Sequence, residues 1–314
     1  MKQVVPKDAI PSVDDPAFVE EYPGDTDDRV AVFEGERTAR AYPVRYLDYH
    51  EVVNDVVDGQ PIAVTWCPLC GSAVVYARTV DGRTLSFGVS GKLDDDNLVM
   101  YDRETGTLWK QARGDAVEGP LAGAALDVLP AAMMPHERFA ADHPEGEVLA
   151  RPGGESEAAG DGHDREPIDY DQDPYREYVE GEGFGLAAHH GEAGREWNRD
   201  DVGPKAVVLG IERDGAALAF PEQAVRAAGG VVHETVGDAD LAVFATRDGL
   251  HAFEAGDRSF EPTDDPGRFA ADGALWAGAT GRSDDGHRLS RVPAKRLFAF
   301  AWQDDHGPDA FWQP

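Results

Sequence analysis

The run Ile62-Ala-Val-Thr-Trp-Cys-Pro-Leu-Cys-Gly-Ser-Ala-Val-Val-Tyr-Ala77 decides how the first half of this chain folds. Two stretches rich in β-branched residues flank a turn that contains Pro68 and Gly71, and no helical stripe or cap follows the second cysteine. The pattern predicts a β-hairpin whose turn carries Cys67 and Cys70, the only two cysteines of the chain.

A Cys-x-x-Cys pair has three common meanings: a thiol redox couple, one corner of a metal site, or two incidental thiols. Trp66 before Cys67 is compatible with a thioredoxin-type couple, but such a pair begins a helix whose dipole lowers the pKa of the first thiol. A hairpin with Pro68 and Gly71 in its turn favours a metal knuckle, in which backbone N–H groups point at the sulfurs.

We therefore expect a metal corner at Cys67 and Cys70, shielded by Trp66. Thiol–disulfide redox chemistry at the same pair is the alternative, and a non-catalytic structural or interaction protein is the third reading. No reaction follows from these residues, and the sequence does not decide whether the chain is an enzyme.

A structural zinc site has four ligands, so two ligands must come from outside the pair. His50, beside Glu51, is the preferred one because it stands in an otherwise apolar and aromatic run; its alternative role is a helix cap or a buried hydrogen bond. Met100 is a further candidate, with core packing as its alternative role. Zinc or copper suits such ligands, and a homodimer that joins two turns would supply four sulfurs.

The composition excludes several classes of partner. The 314 residues include 60 Asp and Glu against 29 Lys and Arg, giving a formal net charge of -31. Such a surface repels nucleic acid and anionic lipid, and it is typical of proteins hydrated in very high salt. No membrane span, secretory signal or dinucleotide fingerprint is present. We expect a soluble, cytoplasmic protein without a nucleotide cofactor, with export possible if the start is truncated.

Short alternating apolar segments broken by Gly, Pro and Asp predict a β-rich α+β fold with few short helices. Helical signals are confined to 44–57 and 135–141 in the first half. We expect three parts: a first repeat unit at 1–152, an acidic, Gly-rich connecting segment at 153–204 with little to bury in a core, and a second, diverged unit at 205–314 that lacks the cysteines.

The two units share recognisable strings, which is the evidence for an internal repeat. The strongest matches pair Val32–Pro43 with Gly210–Pro221, Val52–Asp55 with Val231–Glu234, Val64–Tyr76 with Ala242–Glu254, and Gly106–Trp109 with Gly273–Trp276. In this register Cys67 falls on Ala245 and Cys70 on Asp248. Features present in one copy only, the thiols above all, are the candidates for chemistry.

Several long and unusual strings resemble an uncharacterised family, domain of unknown function 3179. They are Pro6–Pro11, Ala41–Pro43, His50–Asp55, Thr65–Ala73, Phe87–Gly91, Leu98–Arg103, Leu108-Trp109 and Asp169–Tyr175. The resemblance covers nearly the whole chain and implies a β-rich, often exported protein, with no activity attached. It is compatible with one site that includes the His50 and cysteine segments.

Overall fold

The computed structural model describes residues 1–160 and 164–314; positions 161–163 of the connecting segment lie outside the described residues. The first half (1–152) contains β1 (Lys2–Gln3), β2 (Phe18–Val19), β3 (Arg29–Glu34), β4 (Ala39–Pro43), α1 (Val44–His50), β5 (Val52–Val57), β6 (Gln60–Cys67), β7 (Ser72–Ala77), β8 (Thr79–Val80), β9 (Arg83–Thr84), β10 (Phe87–Asp94), β11 (Asn97–Asp102), β12 (Leu108–Lys110), β13 (Ala116–Glu118), β14 (Ala131–Pro135), α2 (His136–Asp142) and β15 (Glu147–Leu149).

The connecting segment (153–204) contains β16 (Glu155–Ser156), the 3₁₀ turn η1 (Glu157–Ala159), β17 (Glu166–Pro167), α3 (Arg176–Glu180) and α4 (Gly185–His189). The second half (205–314) contains β18 (Val207–Arg213), β19 (Ala216–Pro221), α5 (Glu222–Ala227), β20 (Val231–Val236), β21 (Ala239–Thr246), β22 (Gly249–Glu254), β23 (Glu261–Pro262), β24 (Arg268–Ala271), β25 (Ala274–Ala277), β26 (Arg282–Ser283), β27 (Lys295–Phe298) and α6 (Ala299–His306). The fold is β-rich with short helices, as predicted. None of the described helices is long and apolar enough to span a membrane.

Residues with positive φ form the hairpin turns. One helix is shorter than the sequence predicts. Asp58 and Gly59 both take positive φ, 51° and 86°, which is the two-residue turn that joins β5 to β6. The helix expected over 44–57 ends at His50, because Glu51 adopts φ 57° and the valine-rich run after it pairs as β5. The helix expected over 135–141 is confirmed as α2.

The same order of elements occurs in both halves. A hairpin, a short helix and a three-stranded meander form β3 to β7 and recur as β18 to β22. In each half a later strand pairs back to its own first hairpin, β14 with β3 and β27 with β18, and is followed by a helix; the first half adds β15 after that helix. This recurrence is compatible with the internal repeat.

The two halves share a sheet. Its six strands run in the order β19-β18-β27-β7-β6-β5, so the last strand of the second half lies against β7 of the first, with Arg296 opposite Ala73. The corresponding strand of the first half, β14, in turn packs near β22 of the second half. Each half therefore places the strand that pairs back to its own first hairpin, β14 or β27, beside the other half's meander.

The expectation that the connecting segment buries little is wrong. Tyr178, Phe184 and Val202 belong to the largest hydrophobic cluster, which also includes Trp109 from the first half and Trp302 from the second. Contact among these side chains holds the segment against both halves, because it removes large apolar areas from water. The acidic residues around them stay at the surface.

Candidate functional site

Cys67 and Cys70 lie where the shared sheet turns from β6 into β7. Cys67 pairs with Ser72, so the turn proper is the four residues Pro68 to Gly71, and the Gly71 amide donates to the Pro68 carbonyl at 3.3 Å. Gly71 has φ 54°, and a Cβ there would lie 2.8 Å from the side chains of Arg296 and Phe298. The turn therefore requires glycine for both conformation and space. The predicted hairpin is present.

The two thiols are free and differ in their surroundings. Cys67 is 2% exposed and Cys70 is fully buried. Burial alone would raise the pKa of the Cys67 thiol, but hydrogen bonds outweigh burial and lower this pKa. The donors are the Cys70 thiol and the backbone N–H groups of Leu98, Cys70 and Leu69. Cys67 is thus the more acidic of the two thiols.

Cys70 has the opposite tendency. Burial, followed by the neighbouring Cys67, raises its pKa well above the ordinary value of a thiol. Its sulfur accepts a hydrogen bond from the Asn97 amide at 3.3 Å, and its single S–H has two acceptors within reach, the Cys67 sulfur and the Asp96 carbonyl oxygen at 3.2 Å. Cys70 is therefore the less acidic thiol of the pair.

Two buried carboxyl groups stand at the end of α1, close to the turn. Burial raises the pKa of Asp48 to about 8, although the Trp66 indole donates to its carboxyl at 2.7 Å. Burial also raises the pKa of Glu51 well above its usual range, and the charge of Cys67 is the next largest cause. Both groups are thus favoured in their neutral, protonated form at neutral pH.

The connecting segment covers the turn with tyrosines. The Tyr178 hydroxyl donates to the Leu69 carbonyl at 2.7 Å and accepts from the Gly185 amide at 3.1 Å. Burial raises the pKa of Tyr175, and the next causes are the charges of Glu51 and Asp48, so its hydroxyl faces the same acidic centre. The string Asp169–Tyr175 therefore belongs to the site and is more than a linker.

The second half closes the turn from the other side. The Phe298 amide donates to the Cys70 carbonyl at 2.7 Å, and Arg296 Nη1 donates to the Gly71 carbonyl. The Arg296 guanidinium also lies over the Trp66 ring, 5.7 Å from its centroid. Burial lowers the pKa of Arg296 to about 10, which leaves it charged at neutral pH.

The two remaining predicted ligands, His50 and Met100, make contacts of different kinds. His50 Nδ1 is 2.8 Å from the Pro11 carbonyl and Nε2 is 2.6 Å from the Tyr170 hydroxyl. Because a carbonyl only accepts, Nδ1 carries the proton and Nε2 accepts from the tyrosine. His50 thus makes the buried hydrogen bonds that were its alternative role. Met100 is buried in the same apolar cluster as the two cysteines.

Within 1–160 and 164–314, no three His, Cys, Asp or Glu side chains are grouped so that they could hold a metal ion. The set of Cys67, Cys70, His50 and Met100 stays a prediction, and ligation by His50 would require it to give up the Tyr170 hydroxyl. Sequence reasoning passed over Asp48, Tyr175 and Tyr178. The signal available for Tyr175 was its place in a string shared with the family.

The family resemblance is confirmed over most of the chain. A family model described as "Protein of unknown function (DUF3179)" matches residues 7–310. No curated protein and no solved structure matches the chain. Any function must therefore be argued from the site.

Proposed function

The chain belongs to the DUF3179 family of unknown function, and from that premise we propose that it is a thiol redox protein in which Cys67 and Cys70 cycle between a dithiol and one disulfide. The observation that carries this proposal is the placement of two free thiols on one four-residue hairpin turn, and the lowered pKa of Cys67 beside the raised pKa of Cys70 supports it. A thiolate is the attacking species in thiol chemistry, and a neighbouring thiol resolves the product.

The burial of both sulfurs limits the size of the oxidant that can reach them. A pair exposed by 2% or less is closed to a folded protein partner, so we assign the role to a small hydroperoxide. The Cys67 thiolate attacks the O–O bond, forms an S–O bond and releases one oxygen as water or alcohol. The Cys70 thiol then attacks that sulfur, an S–S bond forms, and water leaves. Two electrons from the two thiols reduce one hydroperoxide, and an external dithiol reverses the cycle.

Metal binding at Cys67 and Cys70 is the second candidate. Its support is the set of backbone N–H groups of Leu69, Cys70 and Leu98, which lower the pKa of Cys67 and so favour a thiolate ligand as well as a nucleophile. Zinc or copper would then need ligands from outside the turn, His50 and Met100 being the predicted ones.

One set of measurements distinguishes the redox cycle from metal binding and from a purely structural role. Protein purified without chelator is analysed for zinc and copper, its thiols are counted, and it is then exposed to hydrogen peroxide. We expect metal-free protein with two thiols that loses two hydrogens as a disulfide forms. Cys70→Ser should stop at a sulfenic acid on Cys67, which dimedone traps, and Cys67→Ser should yield neither product.

The double variant Cys67→Ser/Cys70→Ser is the matched control, since it reports methionine oxidation alone. About one metal per chain that disappears in Cys67→Ser would favour the metal candidate instead. A dithiol that holds no metal and resists peroxide would leave only the third alternative, a non-catalytic structural or interaction protein.

A further inference from the structure

A cavity of about 50 Å³ lies between the two halves of the molecule. Strands β3, β7 and β14 of the first half line it, together with β18, β22 and β27 of the second. Because one water molecule needs roughly 10–15 Å³ of such space, the cavity has room for about three to five water-sized groups. It therefore suits a small ligand.

The two halves place different side chains around this cavity. Arg29 begins β3 and Val207 begins β18, each opposite the last residue of the strand that pairs back to it, β14 or β27. Met133 and Arg296 each lie two residues before that last residue. Arg29 thus corresponds to Val207, and Arg296 to Met133, and all four line the cavity. At each of these positions one half has an apolar side chain and the other has an arginine.

The two arginines are not neutralised at the cavity. Glu222 is the only carboxylate among the described residues that line it, and its Oε1 already accepts from Arg226 Nε at 3.0 Å. Within 1–160 and 164–314 the Arg29 guanidinium makes no hydrogen bond or ion pair, and Arg296 Nη1 donates to the neutral Gly71 carbonyl. Two positive groups therefore border a cavity in a protein of net charge -31. Such an arrangement costs free energy unless an anion joins it.

We propose that the cavity binds a small monocarboxylate of about two or three carbon atoms, whose carboxylate is held by Arg29 and Arg296. The planar guanidinium fork matches the two oxygens of a carboxylate. The remaining walls include the apolar side chains of Met133, Leu209 and Leu250, which suit the hydrocarbon part of such a ligand. An inorganic anion would leave these walls without a partner, so the lining favours an organic acid.

The two arginines differ in their exposure. Arg29 is exposed, whereas Arg296 is partly buried and is held by its hydrogen bond to the thiol turn. The ligand therefore enters past Arg29 and reaches Arg296 inside. Since Arg29 belongs to the first half and Arg296 to the second, the bound carboxylate links the two halves. The site uses neither thiol and is independent of the disulfide cycle.

Isothermal titration calorimetry with sodium acetate tests this site, at an ionic strength held constant with sodium chloride. We expect saturable binding to the wild type. Arg29→Val should weaken the binding at least about tenfold, because charge-assisted hydrogen bonds to the carboxylate are lost. Valine is the residue at the corresponding position of the second half, and the exposure of Arg29 makes the variant compatible with folding. Arg296→Met is the equivalent exchange at the inner position and should weaken binding by a similar factor.

Arg37→Val is the matched control, because it removes an arginine whose side chain is 80% exposed and which does not line the cavity. It should bind acetate as the wild type does. Hexanoate, which is too long for the cavity, should bind at least about tenfold more weakly than acetate. No saturable binding to the wild type, or equal affinity in Arg29→Val and the wild type, would overturn the site. Sulfate that binds as tightly as acetate would overturn the assignment to a carboxylate.

Discussion

The molecule contains two equivalent hairpin turns, and only one of them carries thiols. The turn between β6 and β7 has four residues between Cys67 and Ser72, whereas the turn between β21 and β22 has two between Thr246 and Gly249. Cys67 thus corresponds in the ladder to Thr246. The register read from the sequence, which placed Cys67 over Ala245, is wrong because it allowed no difference in turn length.

Both turns lie beside the last strand or helix of the other half. The first contacts β27 through the Cys70 and Gly71 carbonyls, and the second contacts α2 through ion pairs of Arg247 and Asp248. The same position in the two halves therefore accommodates a four-residue turn in the first and a two-residue turn in the second. The comparison teaches that two additional residues, enclosed by tyrosines of the connecting segment, distinguish the thiol turn from an ordinary one.

The largest effect should follow from giving the first turn the length of the second. Replacing Pro68-Leu-Cys-Gly71 with Arg-Asp removes the Leu69 side chain from the core and leaves the Tyr178 hydroxyl without its acceptor. We expect the free energy of unfolding in urea to fall by about 2–5 kcal/mol.

The control for this exchange replaces only Arg247, the exposed residue of the second turn, with Asn and keeps the buried Asp248. It should change the free energy of unfolding by less than about 0.5 kcal/mol. Equal losses in the two variants would mean that the longer turn contributes no packing of its own.

A smaller effect should follow from Tyr178→Phe. The substitution keeps the ring but leaves the Leu69 carbonyl and the Gly185 amide unsatisfied, at a cost of about 1–3 kcal/mol in urea unfolding. The counterpart in the second turn is Thr246→Val, which removes the acceptor of the Asp248 amide at 3.1 Å. That variant should lose about 1 kcal/mol or less. A larger loss in Thr246→Val than in Tyr178→Phe would contradict the view that the first turn is the more tightly held.

The smallest effect should follow from Arg247→Ala. Its side chain is 74% exposed, and its Nη2 lies 3.4 Å from Glu137. Exposed pairs of this kind contribute little, and salt screens them, so the loss should stay below about 0.5 kcal/mol and vanish in molar salt. A thermal shift measured at low and high salt checks both statements, and a loss that persists at high salt would show that the second turn depends on this contact.

Local patterns predicted the local structure well. The alternation around Ile62 to Ala77 gave the hairpin, and the thiol pair was visible in the sequence alone. The error at 44–57 has a physical cause: apolar residues at mixed spacing suit a helix or a strand, and the change between them depends on Glu51 entering the left-handed region. Hydrophobic periodicity does not reveal a single residue with positive φ.

The enclosure of the thiols could not be predicted. Arg296 and Phe298 meet the turn because β27 joins the first half's sheet, and no pattern near either segment specifies that pairing. The sequence also could not show that His50 bonds to the Pro11 carbonyl and the Tyr170 hydroxyl, while the Glu51 carbonyl accepts from the Trp66 amide. Adjacent residues look equivalent in sequence until the end of the helix is known.

The pairing of β27 with β7 also bears on how the protein is made. Arg296 and Gly71 are separated by 225 positions, so the carbonyls of the thiol turn find their donors only after nearly the whole chain has left the ribosome. Closing so long a loop is slow, as for other folds dominated by distant contacts. Until then the nascent chain carries both cysteines uncovered, and during synthesis they are open to large oxidants and folded protein partners that cannot reach them in the finished protein.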